Sequence, residues 1–247
     1  MTIVVGPGGA PSIVFVHGTR LTGSAWTAQQ MALSDEFRTI AMDLPGHGSR
    51  AAQPFTLNGA ADALSATIRD EATDGRAVVV GLSLGGYVAM ALAAREPERI
   101  RGLVLSGATA EPVGIRMWPF LALAGVMDRV DEALLDRLNA RFFRTAYPPA
   151  IAEPIIAGGF WSRGGAAALR AVAGERFVPR LAAYPGPTLI LNGELDLPFR
   201  LSAPRFAAAA RDVRRARLRG ARHLANLDRP DAFSEAVRRF ARSLPAD

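Results

Sequence analysis

The sequence predicts an α/β fold: a doubly wound, mostly parallel sheet with a helical segment inserted between two of its strands. Three observations predict it. Short, continuously apolar runs alternate with longer segments of helical period, the pattern of a parallel sheet covered on both faces. The alternation stops between about residues 108 and 184, where helical periods continue without a good strand. A Gly-Leu-Ser-Leu-Gly turn at 81–85 joins one of the apolar runs to a helix.

The elements follow in order. Thr2–Val5 is a short apolar start before a Gly/Pro turn, so any antiparallel hairpin at the sheet edge is abbreviated. Ser12–Val16, Thr39–Met42, Ala77–Val80, Leu103–Leu105 and Thr188–Leu191 read as buried strands, with a further strand at Ala216–Leu218. Helical patterns cover about Ala25–Ser34, Leu57–Glu71, Leu84–Arg95, Ala203–Ala210 and Asp231–Ser243. Within the insertion, Val130, Leu134, Leu138 and Phe142 recur every four residues as a helix stripe. Leu169, Val172, Ala173 and Phe177 suggest another helix, and the apolar run Gly114–Met127 is interrupted by Pro119. Some seventy residues of helix cannot extend the sheet. The expected organisation is a core of 1–107 and 185–247 with 108–184 as a lid over the strand C-termini, where parallel sheets bind ligands.

Composition narrows the chemistry. The 247 residues contain no cysteine, which excludes disulfides, thiolate metal sites and cysteine nucleophiles. The beginning lacks a basic segment ahead of an apolar run, and no run is long enough to span a bilayer, so a cytoplasmic protein without membrane contact is expected. All 29 basic residues are arginine and the formal charge is +6. Six arginines fall between Arg211 and Arg222, but no aromatic residue interleaves with them. They read as a solvated helix face and edge strand, and no nucleic-acid partner is expected.

The turn at 81–85 carries the chemistry. Glycines two residues either side of Ser83 let a strand turn tightly into a helix and leave the hydroxyl projecting from the sheet. The N–H groups at the helix start face the same space. A serine hydroxyl needs a base. Of three histidines, only His223 lies downstream of Ser83, after a strand; His17 reads as a brace for its loop, and His47 as turn chemistry or a lining of the pocket mouth. The base needs a carboxylate to fix its tautomer. Asn192-Gly193-Glu194-Leu195-Asp196 follows a strand, and Asp196 is favoured, with Glu194 and then Asp228 as alternatives. Leu84 N–H and Thr19 N–H, the latter in the His17-Gly18-Thr19-Arg20 loop, are the expected oxyanion donors. Arg20 either reaches a carboxylate on the substrate or points to solvent.

These motifs together resemble the α/β-hydrolase superfamily. His17-Gly18, Asp43-Leu44-Pro45-Gly46-His47-Gly48, Gly81–Gly86, Asn192–Asp196 and Ala221–Leu224 match it in content, order and spacing over about residues 12–243. The run His223–Phe233 is similar to the lid-bearing esterase and enol-lactonase branch. The resemblance implies Ser83 as nucleophile, Asp196 as acid, His223 as base, and Thr19 and Leu84 as oxyanion donors. The clipped N-terminus departs from the family pattern, as does Arg20 directly after the oxyanion position.

The function expected is hydrolysis of a small carboxylic ester, lactone or thioester through an acyl-enzyme on Ser83, with no metal or cofactor required. The same triad could serve acyl transfer, C–C bond cleavage or a lyase reaction, since fold does not select among them. A non-catalytic ligand-binding protein is the third reading. Met117, Trp118, Phe120, Phe142, Phe143, Phe160 and Trp161 suggest an enclosed apolar pocket, with Arg20, Trp118, Phe142 and Trp161 as candidate substrate contacts.

Overall fold

The computed structural model describes residues 2–245. In chain order the elements are β1 (Ile3–Val5), β2 (Ser12–Val16), α1 (Thr27–Leu33), β3 (Arg38–Met42), α2 (Leu57–Glu71), β4 (Ala77–Leu82), α3 (Leu84–Arg95) and β5 (Ile100–Ser106). Five helices follow: α4 (Trp118–Arg129), α5 (Glu132–Ala146), α6 (Pro149–Gly158), α7 (Ser162–Val172) and α8 (Val178–Ala183). The chain closes with β6 (Pro187–Gly193), α9 (Leu197–Ala209), β7 (Asp212–Leu218), α10 (Ala225–Asp228) and α11 (Pro230–Arg242).

The seven strands form one sheet in the order β1-β3-β2-β4-β5-β6-β7. Every pairing is parallel except β1 with β3. The short first strand therefore makes no hairpin with β2; it pairs across β3, Val4 opposite Ile40.

Alternation along the strands explains why they read as continuous apolar runs. Val14 and Val16 of β2 pack on one face with α2, α3, α8 and α9, while Ile13 and Phe15 pack on the other with α1 and α11. Each face must be apolar, so a period-2 pattern disappears from the sequence. Phe15 stacks on Trp26 at a centroid distance of 4.9 Å, and Trp26 meets Phe233 of α11 at 5.7 Å.

The sequence stops and starts have local causes. Thr56 accepts the Gly59 N–H at 3.0 Å and caps α2. Asp131 accepts the Leu134 N–H at 2.9 Å and caps α5. Pro119 does not break the 114–127 segment: it sits in the first turn of α4, where a missing N–H costs nothing. For the same reason α9 starts six residues before the expected Ala203, with Pro198 in its first turn.

The helices between β5 and β6 do not share one core. Ala124 and Met127 of α4 pack with Ala166 and Leu169 of α7. Phe143 and Tyr147, at the end of α5, pack with Ile155 and Phe160. Phe177, Leu181 and Tyr184, around α8, lie in the main core beneath the sheet face. The expected stripe of α5 is present, but it faces outward: Leu134, Leu138 and Phe142 are exposed. Among the described residues no helix is long and apolar enough to cross a membrane.

Candidate active site

Ser83 lies between β4 and α3 with φ 52° and ψ −114°, a strained left-handed conformation for a residue with a Cβ. The glycines around it make the turn possible. A Cβ on Gly81 would stand 2.5 Å from Gly85 O, and one on Gly85 would stand 2.1 Å from Val16 O. No side chain fits either position, so α3 runs directly against β4 and β2. The Ser83 N–H donates to Ser106 O at 2.7 Å, which ties the turn to the end of β5. Leu84 opens α3, so its N–H has no acceptor within the helix. The Ser83 side chain is half-buried at the C-terminal end of the sheet.

His223 and Asp196 meet at the same place. His223 Nδ1 lies 2.9 Å from Asp196 Oδ2, and Asp196 is buried just before α9. A carboxylate can only accept, so Nδ1 carries a proton, and in the neutral imidazole Nε2 is the nitrogen with the lone pair. Gly107, one residue beyond the Ser106 that holds Ser83, sits against this pair: a Cβ there would lie 2.8 Å from His223 Cε1 and 3.3 Å from Asp196 Oδ2. Asn192 accepts the Gly107 N–H at 3.0 Å and donates to Thr109 Oγ1 at 3.0 Å. Phe199 of α9 packs against the imidazole, its ring centroid 4.8 Å away.

The other two carboxylates weighed for this role are engaged elsewhere. Glu194 accepts the Gly220 N–H at 2.9 Å and closes the turn after β7. Asp228 accepts from Arg222 N at 2.6 Å, Arg222 Nη2 at 2.8 Å and Tyr147 Oη at 2.9 Å. It thereby anchors the residue before His223 to the end of α5. Asn226 Nδ2 donates to Ala25 O at 3.1 Å and pins the chain beyond His223 to the turn just ahead of α1.

His17 and His47 form a pair beneath the β2–α1 loop, their ring centroids 5.1 Å apart and both fully buried. Each uses both nitrogens. His17 Nδ1 donates to Gly18 O at 2.8 Å, and Nε2 accepts the Leu44 N–H at 3.0 Å. His47 Nδ1 donates to Pro45 O at 2.9 Å, and Nε2 accepts the Arg20 N–H at 3.2 Å. Burial, helped by repulsion from His47, lowers the His17 pKa to about 3, and burial also lowers that of His47. Both are neutral cross-links between loops. Asp43 sits beside them. Burial opposes its charge, yet the N–H groups of Gly23 and Ser49 and the Ser49 hydroxyl outweigh that and hold its pKa at about 2.

Thr19 and Arg20 occupy a four-residue turn closed by Leu21 N–H to Gly18 O at 3.3 Å. The turn packs against the first turn of α7, where a Gly165 Cβ would lie 3.1 Å from Thr19 Oγ1. Arg20 Nη1 donates to Asn139 Oδ1 at 3.2 Å, so its side chain lies against α5. Trp161 is half-buried, its indole N–H donating to Gly158 O at 3.1 Å. Trp118 and Phe142 are 62% and 46% exposed. The aromatic residues expected to enclose a pocket divide instead. Phe143 and Phe160 stack on each other at 5.4 Å inside the small core, Phe120 lies against Tyr87, and Trp118 and Phe142 face outward. The six arginines of 211–222 also divide. Arg214 lies over Phe240 on one side of β7, Arg217 faces Glu194, and Arg222 binds Asp228. Among the described residues no group of three or more histidines and carboxylates is placed to hold a metal ion.

Residues 13–236 match the model of the alpha/beta hydrolase family. The chain belongs to the alpha/beta hydrolase family. A pimeloyl-[acyl-carrier protein] methyl ester esterase of Nitrosospira multiformis is 28% identical over 95% of this chain and 96% of its own length. Among solved structures, an esterase from Thermogutta terrifontis superposes with a TM-score of 0.82 at 27% identity, over 98% of this chain and 92% of that one. The enol-lactonase from Burkholderia xenovorans does so with a TM-score of 0.82 at 26% identity, over 98% and 96%. This hydrolase thus has esterases and a lactonase among its homologues.

The sequence missed several contributors to the site. Gly107 and Phe199 flank His223 but stand in no recognisable motif. Asn192 was part of the acidic loop motif, yet its role in orienting Gly107 depends on a contact 85 residues away.

Proposed function

We propose that the protein is a serine esterase that cleaves a small carboxylic ester, lactone or thioester by way of an acyl-enzyme on Ser83. The observation that carries the reading is the 2.9 Å contact between His223 Nδ1 and Asp196 Oδ2, next to the turn that presents Ser83. Asp196 keeps the imidazole in the tautomer whose Nε2 is basic. His223 then takes the Ser83 proton as the oxygen attacks the acyl carbon, and returns it to the departing alkoxide or thiolate. Water repeats the sequence to release the acid. The Leu84 and Thr19 N–H groups stabilise the tetrahedral oxyanion, a contribution of about 3 kcal/mol per donor in comparable sites. Helices α4–α7 act as a cap over the strand C-termini. The esterase and lactonase names among the homologues support an ester or lactone as the electrophile.

The test is Ser83→Ala assayed on aryl esters of graded acyl length, with intact-mass detection of a fluorophosphonate adduct on the unmutated protein. Loss of turnover in the variant by about three orders of magnitude or more, and a single adduct on Ser83, are expected. Turnover that survives the substitution, or an unlabelled Ser83, sinks the proposal.

A further inference from the structure

We infer that His47 is a positioning residue for the turn that carries Thr19, and that it works against a second clamp supplied by the first turn of α7. The inference rests on the reading of Thr19 as an oxyanion donor.

Arg20 has φ 66°; with Ser83 it is one of two non-glycine residues of the described chain in the left-handed region. It occupies the third position of the Gly18–Leu21 turn, where a positive φ normally selects glycine. An arginine stays there only if its surroundings over-determine the backbone. Both peptides that flank it are held. The Arg20 N–H donates to His47 Nε2 at 3.2 Å, and Arg20 O accepts the Trp161 N–H at 2.9 Å. The first bond comes from the loop after β3 and the second from the residue that leads into α7. The helix also presses on the turn, since a Cβ on Gly165 would stand 2.7 Å from Arg20 Cγ. Thr19 Oγ1 donates to Gly165 O at 3.4 Å.

His47 is built for this role. Its Nδ1 is committed to Pro45 O at 2.9 Å, so the proton sits there and Nε2 is free to accept. Its ring is fixed between His17 and Phe55, at centroid distances of 5.1 and 6.4 Å. Remove the acceptor and the Arg20 N–H is left without a partner. The central peptide of the turn can then rotate until Arg20 reaches a negative φ. Thr19 Cα is one pivot of that rotation, so the adjoining Gly18–Thr19 peptide, whose N–H is the proposed oxyanion donor, loses the anchor that fixes it from the Arg20 side. Such a donor acts on charge that develops only in the transition state, so the loss falls on kcat and not on KM.

A double-mutant cycle separates this role from general packing. His47→Leu removes the acceptor; Arg20→Gly lets the turn hold a left-handed φ without help. On a neutral aryl ester, His47→Leu should lower kcat about 10- to 100-fold, with KM within about twofold. In the Arg20→Gly background the same change should cost no more than about threefold. His47→Gln, which can still accept the N–H, should recover most of kcat. If circular dichroism shows that His47→Leu does not fold, Gly165→Ala serves in its place. Its clash with Arg20 Cγ vanishes in Arg20→Gly, so its kcat defect should shrink there too. Equal kcat losses in both backgrounds, or an effect confined to KM, overturn the inference. An unmutated protein that neither turns over esters nor labels at Ser83 overturns the hydrolytic reading instead, so the two failures are distinct.

Discussion

Acidification should destabilise this fold well above the pH at which carboxylates protonate, and His17 is the reason. Its imidazole is fully buried, donates to Gly18 O and accepts from Leu44 N, so the folded state holds it neutral with a pKa of about 3 against an ordinary 6.5. The unfolded chain therefore binds a proton that the folded chain refuses. Stability is present above pH 6.5 and is lost as the pH falls toward 3. Between pH 7 and pH 5 those two values cost about 2 kcal/mol for His17 alone. His47, lowered in the same direction by burial, adds to the loss. Asp43 does not contribute in this window. Its pKa is depressed to about 2, so its stabilisation is intact above 3.8 and fades only below that. The measurement is urea unfolding at pH 7, 6 and 5, read as the midpoint at constant m. His17→Gln should be less stable at pH 7, but its free energy should fall less steeply, by up to about 1.4 kcal/mol per pH unit. Comparison of the two proteins isolates His17 together with its interaction with His47. Parallel pH profiles, or an unmutated protein equally stable at pH 7 and 5, refute the argument.

Two further outcomes probe the site itself. Gly107→Ala would place a Cβ 2.8 Å from His223 Cε1 and 2.9 Å from Nδ1, on a residue with φ +57°. Displacing the imidazole should lower kcat by about 10²-fold, while the melting temperature moves only a few degrees; full activity would show that His223 is not the working base. Asp196→Asn should lower kcat by about 10³- to 10⁴-fold by favouring the wrong tautomer. Glu194→Gln, which can still accept the Gly220 N–H, should stay within a few-fold of the unmutated rate. Reversed effects would exchange the roles of the two carboxylates.

The parallel sheet was legible because the chain advertises it twice. Strands buried on both faces are apolar throughout, and the helices between them carry a regular stripe. Ser12–Val16, Leu57–Glu71 and Leu84–Arg95 fall where the sequence placed them; a Gly/Pro turn precedes the first and the Gly-x-Ser-x-Gly turn the third, while the Thr56 cap that starts α2 emerges only in the structure. The insertion was harder. The stripe Leu134–Leu138–Phe142 has the right period but the wrong consequence, because period reports a helix and not what covers it. Pro119 misled for a related reason. Proline breaks a helix interior and starts a helix first turn, and only the boundary decides which.

The site divides along the same line. Ser83, His223 and Asp196 sit at strand ends in motifs of adjacent residues, so short-range sequence could find them. What holds them is long-range. Gly107 takes its place from Asn192, and Arg20 takes its conformation from His47 and Trp161, 27 and 141 residues away in sequence. Such contacts leave no periodic trace. Their one sequence signature is a residue that violates its own preference: an arginine where the turn calls for glycine. Read alone, Arg20 suggested a charge directed at substrate or solvent. With its backbone fixed from both sides, the informative part of the residue is the peptide rather than the guanidinium. The same logic applies to Ser83, whose left-handed φ is also held against preference by the close approach of Gly81 and Gly85 to their neighbours. Among the non-glycine residues described, only these two hold a positive φ. Both lie beyond strand C-termini, Arg20 after β2 and Ser83 after β4, where backbone strain held by its surroundings marks candidate functional positions.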